Sequence, residues 1–152
     1  MLQRSIITTI ITLALISSSI QLTFAQKTPA KHASEKASGA SEVARGKYLV
    51  ESVAMCAQCH TPRDDKGNLD RSRWLQGSPV PYMPAKPDSN WPINAPRIGG
   101  TPPASDADMI KLLTTGVWTT GKSLRFPMPQ FRMEHSDAQA VVAYLKSLTL
   151  QQ

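Results

Sequence analysis

The sequence predicts an all-α fold with about three main helices and long proline-rich loops. Two observations predict this class. Apolar residues recur at the three-and-four spacing of a helix face in separate segments. Nine of the 12 prolines lie within residues 61–104, and proline lacks the amide donor that helices and central strands need. Aromatic residues make up only 6% of the chain, so a small domain has limited core material of its own.

Residues 1–25 are expected to be a secretory signal peptide. Arg4 gives the positive start, residues 6–22 form an apolar run, and Ala25 ends a small-residue cleavage site. The run is also about long enough to span a bilayer, so an uncleaved membrane anchor is the alternative. Either way, the remainder of the chain is expected to be exported, and removal of Arg4 lowers the formal charge of +6 by one.

Residues 26–40 contain mainly Ala, Ser and Lys and almost no large apolar side chain. Such a segment cannot bury enough surface to order itself, so a flexible tether is predicted. His32 lies in it and is interpreted as a surface histidine. The compact domain is then expected to cover residues 41–150.

The first helix is predicted to begin at a capping residue, Ser41, and to run to Val53. Its apolar face is predicted to contain Val43, Gly46, Val50 and Val53. A glycine inside a helix costs about 1 kcal/mol relative to alanine. The close approach of another helix would explain Gly46.

Cys56-Ala57-Gln58-Cys59-His60 follows that helix and matches C-x-x-C-H, the attachment pattern of a c-type haem. Two thiols at this spacing can add to the two vinyl groups of one porphyrin, and His60 can then bind the iron. The chain has no other cysteine, so a zinc site would lack its usual third and fourth ligands. A disulfide or a redox dithiol remains the alternative for Cys56 and Cys59.

The segment from residue 61 to residue 104 is predicted to be a long ordered loop that Trp74 and Trp91 hold in place. A second helix is predicted to start at Ser105 and to end at Gly116. Its apolar face is formed by Met109, Leu112 and Leu113.

The last helix is predicted over residues 137–148, with Ser136 and Gln139 as a capping box. Its buried stripe is predicted to contain Val141, Tyr144, Leu145 and Leu148. No phosphate-binding glycine loop and no serine–histidine–acid set accompanies these elements.

Met128 is the preferred candidate for the sixth iron ligand. It lies between Pro127 and Pro129, which favour extended backbone, and a stiff loop can aim a thioether with little entropy loss. The chain offers four rivals after the haem motif: Met83, Met109, Met133 and His135. Among these, Met83 is the serious rival, because it also lies between prolines.

In these features the chain resembles the class I monohaem cytochrome c family over about residues 41–150. The resemblance is carried by Gly46, the Cys-Ala-Gln-Cys-His motif, residues 94–100, Pro127-Met128-Pro129 and the final helix with Tyr144. It implies a cytochrome c-like fold around one covalent haem c, contact between Gly46 and the final helix near Tyr144, and acceptance of the His60 imidazole N–H by the Pro96 carbonyl. Two departures are evident: Gly46 and Cys56 are two residues further apart than in mitochondrial-type members, and residues 61–94 form a much longer segment than in the smallest members.

The expected function is one-electron transfer in a periplasmic redox chain, without catalysis of a reaction by the chain itself. Both axial positions would be filled, by His60 and Met128, and the haem contacts would include Cys56, Cys59 and Pro96. The resemblance implies partners among periplasmic dehydrogenases or terminal oxidases, and the positive charge favours an acidic redox partner. The basic residues lack interleaved aromatics, so no nucleic acid is expected, and a membrane is expected only if residues 1–25 are retained. Two alternatives remain: a haem enzyme or gas sensor with an open sixth position, and a thiol–disulfide oxidoreductase.

Overall fold

The computed structural model describes residues 31–148. Four α-helices carry the fold: α1 (Lys31–Tyr48), α2 (Ala57–His60), α3 (Asp106–Thr115) and α4 (His135–Ser147). A π-helical turn, Leu49–Val53, extends α1, and a 3₁₀ turn spans Arg71–Arg73. The strands β1 (Ser78–Pro79) and β2 (Asn94–Ala95) form an antiparallel ribbon, with Ser78 opposite Ala95. Within residues 31–148, every helix is too short or too polar to span a bilayer.

The contact between α1 and α4 is centred on Gly46. A Cβ atom added at Gly46 would overlap the backbone carbonyl of Ala140 and lie 2.8 Å from Tyr144 Cβ. Only glycine allows two helix backbones to approach so closely here. The contact that the family resemblance implies between Gly46 and the final helix near Tyr144 is therefore confirmed.

The helices α3 and α4 contribute most of the buried apolar residues of the described chain, and their predicted faces are buried. Met109, Leu112 and Leu113 of α3 are at most 5% exposed, and Gly116 follows that helix with a left-handed φ of 71°. On α4, Val141, Tyr144 and Leu145 are buried, and Leu148 packs against the core.

The predicted capping box of α4 is wrong. The helix begins at His135, ahead of the predicted start, and its N-cap is Glu134 without a side-chain hydrogen bond. Ser136 therefore lies inside the first turn. By contrast, Ser105 caps α3 as predicted, since its hydroxyl accepts a hydrogen bond from the Asp108 amide at 3.2 Å.

The first helix differs from the prediction at both ends. It begins at Lys31, so residues 31–40, expected to belong to a flexible tether, are helical. Alanine, lysine and glutamate are good helix formers, which explains how a segment without core residues adopts this conformation. Residues 26–30 lie outside the described part of the chain.

At its C-terminal end, α1 continues as the π-helical turn, which changes the buried face. Leu49 and Val50 are buried, whereas Val53 is 53% exposed. Bonds from residue i to i+5 rotate the chain relative to an α-helix, so the three-and-four spacing no longer brings Val53 to the core. The predicted placement of Val53 is wrong for this reason.

Residues 61–104, here called the proline segment, form ordered loops and the short ribbon. Trp74 packs partly buried against the core, and the Arg71 guanidinium lies 3.9 Å from the centre of its ring. Trp91 packs against Phe126, with ring centres 5.4 Å apart. The two tryptophans thus hold the segment as predicted, but the ribbon β1–β2 was not predicted.

Candidate functional site

The two thiols and the imidazole of the haem motif lie on a single helical turn. Cys56 is the N-cap of α2, and its carbonyl accepts hydrogen bonds from the amides of Cys59 at 3.3 Å and His60 at 3.0 Å. This backbone arrangement fixes the two cysteines and the histidine relative to one another. Both thiols are free.

Burial raises the pKa of the Cys56 thiol to about 11, and burial also raises the pKa of Cys59. Thiols that exchange disulfides are activated by a lowered pKa, because the thiolate is the nucleophile. The environment of Cys56 and Cys59 has the opposite effect. It therefore disfavours the dithiol alternative.

The imidazole of His60 is 6% exposed and held in one orientation. Its Nδ1 lies 2.7 Å from the Pro96 carbonyl oxygen. A carbonyl can only accept, so Nδ1 carries the proton and Nε2 keeps a free lone pair. Burial lowers the pKa of His60, although the Pro96 carbonyl opposes this shift, so the neutral, ligand-competent imidazole is favoured.

The ribbon β1–β2 places Pro96 against His60. Pro96 directly follows β2, and β1 is anchored to α2 because Gly77 N donates to His60 O at 2.7 Å and Ser78 Oγ donates to Cys59 O at 2.7 Å. Gly77 has a φ of +85°, and a Cβ atom there would lie 2.9 Å from Ala95 O. The ribbon thus ties the haem motif to its histidine acceptor.

A second connection in the proline segment lies in the interior. Thr61 is 1% exposed, and its hydroxyl accepts a hydrogen bond from the buried Leu75 amide at 2.9 Å. The Leu75 carbonyl in turn accepts the amides of Ile98 and Gly99, both at 3.0 Å. Sequence reasoning missed Thr61 and Leu75, since neither belongs to a periodic pattern. The only available signal was their position after the haem motif and after Trp74.

Met128 lies on a different segment, the loop between α3 and α4, here called the methionine loop (residues 117–134). One side of this loop is fixed to the end of α3, where Leu124 N donates to Gly116 O at 2.9 Å. The other side is fixed to the proline segment, where Arg125 Nη1 donates to Asn90 O at 2.6 Å. Met128 itself is half-buried, and its amide donates to Arg125 O at 3.1 Å.

The rival ligands have other environments. Met83 is 88% exposed and Met109 is 4% exposed in the helical core. Met133 packs against that core, and His135 is an exposed residue at the start of α4. Met128 thus combines partial burial with a loop position outside the core.

The donor set fits a c-type haem. It offers two free thiols on one turn and a neutral imidazole whose Nδ1 is already satisfied, as ligand histidines require. Among residues 31–148, no three His, Cys, Asp or Glu side chains cluster in a way that could hold a metal ion.

Comparisons with known proteins match the same part of the chain. The family model described as Cytochrome c matches residues 43–149. A diheme cytochrome c-type protein of Cereibacter sphaeroides is 55% identical over 42 residues, which are 28% of this chain and 14% of that protein. The fructose dehydrogenase cytochrome subunit of Gluconobacter japonicus is 32% identical over 116 residues, which are 68% of this chain and 21% of that protein. The matched regions thus span about a fifth or less of these curated relatives.

Proposed function

We propose that this chain, which belongs to the cytochrome c family, carries single electrons through one covalently bound haem c in a periplasmic redox chain. The observation that carries the proposal is the joint placement of Cys56, Cys59 and His60 on one turn, with His60 held by Pro96. When bound, the haem supplies a one-electron iron couple. The chain itself makes and breaks no substrate bond in this function.

The residues of the chain have separate tasks in this proposal. Cys56 and Cys59 would hold the haem through thioether bonds, and His60 Nε2 would be the proximal ligand. The Pro96 carbonyl orients the imidazole and raises its basicity through the Nδ1 proton. Met128 would be the distal ligand, and a thioether there favours the reduced iron and raises the potential.

The proposed number of haems is one, because the chain has two cysteines and therefore a single C-x-x-C-H motif. One relative is named as the cytochrome subunit of a fructose dehydrogenase. By analogy, we propose that this chain receives electrons from a dehydrogenase, or passes them to a terminal oxidase, without acting on the substrate.

The first test measures whether the haem is covalently attached, and the second measures whether Met128 is its distal ligand. After acid–acetone extraction, the colour should stay with the protein, and a pyridine haemochrome spectrum should report thioether-linked haem.

Replacing Met128 with Ala should lower the potential and open the reduced protein to carbon monoxide. The matched control is Met83→Ala, because Met83 is 88% exposed and its loss should leave the spectrum unchanged.

Each outcome of this test has a distinct meaning. Release of all haem into the solvent would refute covalent attachment. Ready binding of carbon monoxide by the unmodified protein would favour the sensor or enzyme alternative. A larger spectral change in Met83→Ala than in Met128→Ala would move the distal ligand into the proline segment.

Export and the domain boundaries are part of the same proposal. Residues 1–25 would be removed after Ala25, and the haem domain would cover residues 41–150. In the described part of α1, Ser38 and residues 40–42 are exposed, and a Cβ atom at Gly39 would meet nothing within 4 Å. An unsupported helix end is marginally stable in water, so proteases should trim it while the haem domain survives. The intact mass of protein from the periplasmic fraction checks the cleavage site, and a retained N-terminus would contradict it.

A further inference from the structure

The π-helical turn Leu49–Val53 lies between the helix contact at Gly46 and the haem motif. In an unbroken α-helix, Glu51 would lie about 140° around the axis from Gly46 and face away from α4. Val53 would lie about 20° from Gly46 and face α4. The structure shows the reverse, because Val53 is 53% exposed and the Glu51 side chain contacts α4. The π-helical turn therefore decides which of these two side chains meets α4.

This conformation has two local costs. The Val53 side chain remains exposed to water, although its periodic position favours burial. Met55, which follows the turn, has a left-handed φ of 49°, a value that residues other than glycine rarely adopt. A contact with another part of the fold must therefore hold the turn against these local preferences. Backbone that is held in this way is typical of functional sites, and so are π-helical turns within α-helices.

The Tyr144 hydroxyl supplies such a contact. It donates to Glu51 Oε1 at 2.6 Å, within the range of about 2.5–2.7 Å for a hydroxyl bonded to a carboxylate. Tyr144 is 5% exposed on α4 and packs under Gly46, so its ring is fixed. Burial and this hydrogen bond raise the pKa of Tyr144 to about 12, although Trp74 and Arg71 nearby oppose the shift. The hydroxyl therefore keeps its proton and acts as the donor.

The turn connects this contact to the first cysteine of the haem motif. Cys56 N donates to Val50 O at 3.0 Å, and Val50 is fully buried within the turn. Cys59 is held from another side, because Ser78 Oγ of the ribbon donates to its carbonyl at 2.7 Å. The position of Cys56 therefore depends on the π-helical turn, whereas that of Cys59 depends on the ribbon.

We propose that Glu51 and Tyr144 are positioning residues of the haem site: their hydrogen bond holds the π-helical turn and thereby fixes the Cys56 thiol for its thioether bond. This inference rests on the proposed covalent haem. In thioether formation, the S–H group of Cys56 adds across a vinyl double bond. Sulfur bonds to one carbon and the proton goes to the other, so the step needs no oxidant or reductant. Without the hydrogen bond, the turn opens towards an unbroken α-helix, and addition at Cys56 becomes incomplete.

Tyr144→Phe tests the hydroxyl alone, because the ring and its packing against α1 remain. The holoprotein is denatured and labelled with a maleimide, and the masses of its peptides show which thiol is free. We expect the free fraction of Cys56 to rise about tenfold, the lower end of the effect of a hydrogen bond to a charged group. The free fraction of Cys59 should not change. A general weakening of the fold would instead lower attachment at both cysteines.

Amide hydrogen exchange in the reduced holoprotein is a second readout, which is independent of the extent of attachment. Ala54 N donates to Leu49 O at 2.8 Å at the end of the turn, so its exchange should become about tenfold faster in Tyr144→Phe. Met109 N of α3 donates to Ser105 O at 2.9 Å and should exchange at the wild-type rate. An increase confined to the turn distinguishes its opening from unfolding of the whole domain.

Further variants assign the effect to the hydrogen bond. Glu51→Ala should match Tyr144→Phe in both readouts, and the double variant should show no additional effect, because both substitutions remove the same bond. Glu51→Gln keeps an acceptor and should stay closer to the wild type. The matched control is Tyr48→Phe, because Tyr48 is a 54% exposed tyrosine on the same helix. Its substitution should leave both readouts unchanged.

Other results would overturn the positioning role. Complete thioether formation at Cys56 in Tyr144→Phe and Glu51→Ala would do so, whether or not exchange at Ala54 is faster. An equal loss of attachment at Cys56 and Cys59 would also do so, and would assign the hydrogen bond to general stability. Free thiols at both cysteines in the wild-type holoprotein would instead refute the covalent haem of the proposed function.

Discussion

The helical core and the proline segment are stabilised in different ways. In the core, α1, α3 and α4 bury apolar faces, and Gly46 lets two backbones meet. The proline segment contributes only Leu75 and Ile98 to the buried apolar residues of the described chain. It is held by its two tryptophans and by hydrogen bonds to backbone groups, such as those of Thr61 and Ser78. Apolar packing therefore stabilises the core, whereas individual hydrogen bonds order the proline segment and place Pro96 beside His60.

The largest effect should come from the core contact at Gly46. Gly46→Ala places a Cβ atom against the Ala140 backbone carbonyl, which cannot move without shifting α4. We expect the free energy of unfolding to fall by about 3 kcal/mol, at the upper end of overpacking effects. Chemical denaturation of the holoprotein measures this change.

Gly39 provides the matched control within the same helix. A Cβ atom at Gly39 meets nothing within 4 Å, so Gly39→Ala should stabilise α1 by up to about 1 kcal/mol through helix propensity alone. Opposite signs for the two substitutions would confirm that packing, not propensity, makes Gly46 necessary. A gain in stability for Gly46→Ala would contradict the close helix contact.

A smaller effect is expected from the buried hydroxyl in the proline segment. Thr61→Val keeps the shape but removes the acceptor of the Leu75 amide, leaving a buried N–H without its partner. We expect a loss of about 2 kcal/mol in the free energy of unfolding. The matched control is Thr119→Val, because Thr119 is exposed and its substitution should have little effect. The same loss in both variants would show that the Thr61 hydroxyl does not hold the segment.

The contrast between the regions also explains how much the sequence could predict. Periodicity predicted the buried faces of α3 and α4, because one residue type at regular spacing determines such a face. It failed at Val53, where the π-helical turn changes the period. The C-x-x-C-H spacing identified Cys56, Cys59 and His60 as the haem motif. The family resemblance implied the hydrogen bond between His60 and the Pro96 carbonyl.

The ribbon and the Thr61–Leu75 connection could not be predicted in this way. Ser78–Pro79 and Asn94–Ala95 are two-residue strands, too short to show alternation, and residues 80–93 separate them in the chain. Their pairing depends on Gly77 and Ser78 contacting α2, which is a tertiary effect. Leu75 has a positive φ of 57°, which leucine rarely adopts. The local sequence therefore gave no indication of a turn at Leu75.

The smallest effect should be the contribution of Asp70 at low pH. The Asp70 carboxylate accepts hydrogen bonds from Ser72 and Arg73, and these lower its pKa from 3.8 to about 2, although burial opposes the shift. A carboxyl whose pKa is lowered in the folded state stabilises the fold at pH values above its unfolded-state pKa. It loses that contribution as the pH falls through its folded-state pKa.

Between about pH 4 and pH 2, the wild type should therefore lose more stability than Asp70→Asn, which keeps an acceptor but does not titrate. Thermal unfolding over this range measures the difference, and at neutral pH the wild type should be the more stable of the two. Parallel pH profiles for the two proteins would show that the 3₁₀ turn at Arg71–Arg73 does not depend on the Asp70 charge.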